Sequence, residues 1–138
     1  MTLHRRLLRA AFAGCAALAL GVFNAQAAPT LIVEGGVLVG ADNVMVDGVS
    51  YNVRFMDGSC ASLHQDCNAA GDFVFDTKKE AAAATAVLLR DVLVDGEAGN
   101  FDSDPSLVAG CDAARCNIFS AYGTNRSRAL LSTAANTA

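Results

Sequence analysis

Asp47-Gly48 interrupts the stretch "NVMVDGVSYNVRF", Asn43 to Phe55, and constrains the fold more than any other dipeptide in the chain. A two-residue type I′ turn needs positive φ at both central positions, and Asp-Gly is one of its favoured pairs. Folding about this point sets Val46 against Val49 and Val44 against Tyr51. Strand side chains alternate, so Val44, Val46, Val49, Tyr51, Val53 and Phe55 share one face. Met45, Ser50, Asn52 and Arg54 take the other, wet face. Upstream, "TLIVEGGVLV" from Thr30 is β-branched and apolar, and Gly35-Gly36 breaks it with a bulge or turn.

A hairpin with one apolar face needs a partner to cover it. Thr77 followed by Glu80 forms a capping box, and helical periodicity runs from there to about Val94. Ala81, Thr85, Leu88 and Val92 make one seam, with Ala82, Ala86, Leu89 and Leu93 as the seam beside it. Glu80, Arg90 and Asp91 point away. Phe73-Val74-Phe75 is expected as a short strand before this helix, and Asn117 to Tyr122, "NIFSAY", as the last strand. "VDGEAGNFDSDPSL", 94–107, is expected as loop. The fold class that follows is α+β: a small, mostly antiparallel sheet around the Asp47-Gly48 hairpin, packed by one main helix. Residues 28–123 form a single domain in this reading. The tail 124–138 lacks a pattern and is expected to be disordered and frayed, or a short helix.

The N-terminus reads as a secretory signal peptide over residues 1–27. Arg5, Arg6 and Arg9 precede the unbroken apolar run Ala10 to Phe23, and Ala25-Gln26-Ala27 places small residues at the cleavage positions. A transmembrane anchor needs about 20 apolar residues; this run has 14. Phe12-Ala13-Gly14-Cys15 has the look of a lipoprotein cleavage box, but its cysteine lies inside the apolar run instead of after it. Removing 27 of 138 residues leaves 111, with all 14 acidic residues and 7 of the 10 basic ones, a net charge of −7. Such a surface repels phosphate backbones and anionic membranes, so nucleic acid is not an expected partner. No later segment is long enough to span a bilayer.

Cys60, Cys67, Cys111 and Cys116 remain after cleavage, and an even count in an oxidising compartment points to two disulfides. Three pairings are open. Proximity favours Cys60–Cys67 with Cys111–Cys116, each removing about 2–2.5 kcal/mol of denatured-state entropy, against about 4 for a crossed pair. Zinc could draw on Cys60, His64, Cys67 and one of Cys111 or Cys116, but C-x6-C and C-x4-C are not zinc-knuckle spacings. No C-x-x-C redox motif is present, and His64 is expected as an exposed loop residue.

Glu97, Asn100, Asp102 and Asp104 offer oxygen ligands for calcium. Pro105 and Ser106 break the EF-hand pattern, and Asp104-Pro105 reads as the start of a turn capped by Asp102. No phosphate-cradling glycine loop, G-x-S-x-G or H-E-x-x-H occurs. The absence of tryptophan argues against a sugar-stacking platform. No catalytic residue or cofactor is therefore expected, with calcium as the alternative.

"GGVLVGADNVMVDGVSYNVRFMDGSC", "FVFDTKKEAAAATAVLLRDVLVDG" and "FDSDPSLVAGC" together resemble a module that recurs in uncharacterised exported bacterial proteins. The resemblance covers about residues 35–123. Many such proteins end in a PEP-CTERM sorting tail, which implies a surface or extracellular-matrix destination; this sequence has no Pro-Glu-Pro and no C-terminal hydrophobic span. The expected function is a non-enzymatic binding or structural role in the periplasm or outside the cell, toward a protein or matrix partner. The alternatives are a hydrolase using acids of the 95–104 loop, and a calcium-stabilised module. Exported protein mapped without reductant should show two disulfides and no free thiol; four titratable thiols would reopen the zinc and redox readings.

Overall fold

The computed structural model describes residues 27–64, 67–111, 115–125 and 128–137. The expected leader, apart from Ala27, lies outside them. Three antiparallel strands form a meander in the order β1-β2-β3: β1 (Thr30–Glu34), β2 (Val37–Val46) and β3 (Val49–Arg54). Gly35-Gly36 is a turn, with φ of +58° and +86°, and Asp47-Gly48 turns likewise at +48° and +84°. Val46 pairs with Val49 and Val44 with Tyr51, as the hairpin reading requires.

Two details depart from strict alternation. The β2–β3 register shifts between Ala41 and Val44, where Asn43 takes φ +59° and its N–H donates to Asn52 Oδ1 at 3.3 Å. This bulge resets the phase, so Ala41 and Val44, three residues apart, are both buried. Val49, expected on the core face, is 52% exposed because the hairpin tip reaches beyond the core.

After the short helix α1 (Cys60–Leu63), the segment expected as strand Phe73-Val74-Phe75 is irregular. Its two phenylalanines anchor in different places. Phe73 is buried with its ring 5.2 Å from that of His64, and Phe75 lies 5.6 Å from Tyr51. His64 is thus half-buried, not the exposed loop residue expected.

Helix α2 (Lys78–Val87) starts at the expected capping box: Thr77 accepts from the Glu80 N–H, and the Glu80 carboxylate accepts from the Thr77 N–H at 3.0 Å. The Thr77 hydroxyl, which donates to it as well, holds the Glu80 carboxyl below the usual range. From Leu88 to Val92 the helix widens into a π turn, closed by Leu93 N–H donating to Leu88 C=O at 2.8 Å. The wider turn lets the adjacent Val92 and Leu93 both reach the core. The first seam, Ala81, Thr85, Leu88 and Val92, is buried throughout. The second is corrected: Ala82 and Ala86 are exposed, and Ala84 and Val87 flank the buried stripe instead. Alanines surround the first seam on both sides, so periodicity could not choose between them.

Two further corrections concern the C-terminal half. The 94–107 stretch holds a minimal hairpin, β4 (Asp95–Gly96) with β5 (Gly99–Asn100), followed by a 3-10 turn at Pro105–Leu107. The supposed tail is a strand: β6 (Arg115–Asn125) pairs antiparallel with β7 (Arg128–Thr137). The fold is α+β and mostly strand, with α2 contacting β2, β6 and β7.

Phe101, fully buried, fills the centre beside Leu38, Val92, Leu93 and Val108. Its carbonyl accepts from Asn136 Nδ2 at 2.7 Å, which ties β7 to the loop. Gly99 passes so close that a Cβ there would enter the Phe101 ring. Phe101→Ala should cost about 3–5 kcal/mol, and Val49→Ala less than about 0.5. Denaturant melts of both variants check this ordering.

Candidate binding cleft

Neither sheet covers the other completely. A cleft of about 640 Å³ lies between the β2–β3 hairpin and β6, floored by core residues such as Val46, Leu88 and Ile118. Four large apolar side chains that line it are solvent-exposed: Met56, Val74, Phe119 and Leu131. They arrive from separate elements. Met56 follows β3, Val74 lies between the two anchoring phenylalanines, and Phe119 and Leu131 stand on the β6–β7 ribbon. Phe119 lies out of phase with Ile118 and Ser120, which are buried. Alternation therefore sends Phe119 to the face that α2 does not cover.

Among the described residues the cleft's charged groups are Arg54, Asp57 and Arg115, with His64 at its side. Arg54 pairs with Asp42 at 3.0 Å, an exposed bridge of about 0–1 kcal/mol. Both disulfides border the cleft. Cys60 bonds Cys67 with Cα atoms 5.6 Å apart, and Cys111 bonds Cys116 at 5.4 Å. Cys60, Cys111 and Cys116 lie along its wall, where Gly110 at φ +82° backs onto Asp57. Disulfide bonding takes these sulfurs out of thiolate and metal chemistry. The Cys60–Cys67 region is therefore a pinned loop at the mouth of a cleft.

The acidic loop lies apart from the cleft lining. Glu97, Asn100, Asp102 and Asp104 are all exposed. Among the described residues no three His, Cys, Asp or Glu side chains stand together as a metal-binding group. Asp104 caps the 3-10 turn by accepting from Ser106 N–H at 3.2 Å and from its hydroxyl. The turn at 101–103 is capped differently from expectation. Asp95, not Asp102, accepts from the backbone N–H groups of Asp102 at 2.9 Å and Ser103 at 3.0 Å. Those bonds, the one from Ser103 foremost, hold the Asp95 carboxyl below the ordinary carboxylate range. Asp95 and the four exposed apolar residues are what sequence reading missed. The cap acts across seven residues, and exposed apolar residues in strands look like core.

Asp95 has a lower pKa folded than unfolded, so its stabilisation is complete above the ordinary carboxylate pKa. It is lost as pH falls through the depressed folded value. Asp95→Asn should therefore flatten the acid side of a stability-against-pH curve. Thermal melts from neutral pH downward check this.

Among the described residues no helix is long and apolar enough to cross a membrane, which says nothing of a β-barrel. No protein-family model, curated protein or solved structure matches this chain.

Proposed function

We propose that this chain is an exported, non-catalytic binding module that takes an apolar ligand in the cleft beside β3 and β6. The observation that carries this reading is the gathering of Met56, Val74, Phe119 and Leu131, all exposed, on one concave surface. Exposed apolar side chains scattered singly need no explanation, but a concave cluster of them marks a place where something binds. Of the acids in the 95–104 loop on which a hydrolytic site would draw, Asp95 and Asp104 are engaged as backbone caps, while Glu97 and Asp102 are exposed. Export to the periplasm or beyond is supported by the basic-then-apolar leader and by two disulfides. The resemblance to exported bacterial modules agrees with a partner in the cell envelope or extracellular matrix.

The test uses the folded mature chain and the apolar dye 1-anilinonaphthalene-8-sulfonate. The native protein should bind it, and the double variant Met56→Ser/Phe119→Asp should bind at least about tenfold more weakly. Losing two apolar contacts of a few kcal/mol at most accounts for that factor. Both side chains are exposed, so the melting temperature should hardly move. Native protein that ignores the dye, or a variant that binds it equally well, overturns the reading.

A further inference from the structure

We propose that the Cys111–Cys116 disulfide is a reducible clasp on one wall of the cleft. A dithiol reductant that opens it frees residues 109–111 and loosens the binding site, while the rest of the fold stands. This rests on the binding reading above and adds a control to that site. The chain lines the cleft from Val108 to Cys111, and again from Arg115 through Ala121. The disulfide ties the first run to the second.

The two runs are held very differently. Cys116 stands in β6, paired with Asn136 of β7, and the Asn136 side-chain amide donates to the Phe101 carbonyl. Val108 is buried in the core and bridges Leu38 of β2. Beyond Val108 the hold is light. Among the described residues, one backbone hydrogen bond joins 109–111 to the sheet, from the Ala109 N–H to the Leu38 carbonyl at 2.9 Å. The Cys111 N–H donates back to the Val108 carbonyl at 3.0 Å, within the same turn. Gly110 is exposed, with φ +82°, and faces Asp57. The covalent bond from Cys111 to the β6–β7 ladder is therefore what keeps this wall in place.

Bonded, the two Cα atoms stand 5.4 Å apart. Five residues of extended chain, their separation in sequence, span up to about 17 Å, so the wall can swing out once the bond opens. The loop that the bond closes is short, and its loss takes little from the stability of the folded state. Cys111 is half-buried on the cleft wall, within reach of a thiolate that enters there. The other disulfide offers the contrast: Cys67 is 2% exposed and lies outside the lining. The reductant's thiolate attacks the Cys111 sulfur, the S–S bond breaks, and Cys116 leaves as a thiolate that takes up a proton. The reductant's second thiol then loses its proton and displaces Cys111, which leaves as a thiol. Two electrons and two protons pass to the protein, and the reductant ends as its own disulfide.

The experiment uses dithiothreitol as the dithiol and two variants of the mature chain. Cys60→Ser/Cys67→Ser keeps only the clasp, and Cys111→Ser/Cys116→Ser lacks it. On reduction the first variant should exchange its Ala109 amide about tenfold faster or more, while the Leu88 amide in α2 stays as protected as before. Its affinity for 1-anilinonaphthalene-8-sulfonate should fall at least about threefold, and reoxidation should restore both. The second variant should show the fast Ala109 exchange without reductant, and dithiothreitol should raise it no further. Where the first variant does not fold, the native chain under dithiothreitol is read against the second variant instead. Unchanged exchange at Ala109 on reduction overturns the clasp. So does exchange at Leu88 that rises by the same factor, since the whole domain then unfolds. Faster Ala109 exchange with unaltered dye affinity overturns its control of the cleft. If no form binds the dye, the binding reading fails, and exchange at Ala109 alone decides whether the wall is clasped.

Discussion

The alanine-rich face of α2 joins two pieces of sheet that could not stand alone. A two-stranded ribbon such as β6–β7 is marginal in water until something packs against it, and the meander has an apolar face to cover. Ala81, Ala84 and Thr85 allow the helix to come close, so its contacts reach β2 on one side and β6 and β7 on the other. The buried Thr85 hydroxyl lies 2.7 Å from the Ala81 carbonyl and 2.9 Å from the Ser120 hydroxyl. It has one proton, so when it donates to the carbonyl, Ser120 donates to it. Leaving either partner orphaned would cost about 1–3 kcal/mol, and this fixes the ribbon against the helix at one point along its length.

The same junction creates the cleft. Because α2 joins the two pieces from one side, the outer edge of β3 and the uncovered face of β6–β7 are left facing open space. The Cys60–Cys67 disulfide is local, whereas Cys111–Cys116 joins β6 to the segment whose Ala109 N–H donates to the Leu38 carbonyl of β2 at 2.9 Å. Both bonds tighten the loops at 60–67 and 111–116, which border the opening. Several acidic residues, meanwhile, are spent on local order. Glu80 starts α2, while Asp95 and Asp104 close consecutive turns, each by accepting backbone N–H groups.

What could be read from the residues in order was decided over short spans. Asp47-Gly48 requires positive φ wherever it is placed, and Thr77 with Glu80 satisfies orphan N–H groups within one turn. The cysteine pairs lie five and seven residues apart. Strand β7 shows the opposite case. Its buried positions include the polar Ser132 and Asn136, while Leu130 and Leu131 are exposed. The usual hydrophobic alternation is thus inverted, and the segment is a strand because β6, α2 and the Phe101 carbonyl receive it. The side of α2 that would be buried was equally hidden, since Ala82, Ala83, Ala84 and Ala86 are chemically alike.

By itself the sequence determined the hairpin and its register, the start of the main helix, the α+β class and the count of cysteines to be bonded, because each depends on backbone sterics or hydrogen bonds between near neighbours. The tertiary structure alone decided the β6–β7 ribbon, the Asp95 cap and the cleft with its open edge. Those depend on surfaces contributed by segments far apart in the chain, and which of them meet is settled by how completely the helix can cover two sheets at once.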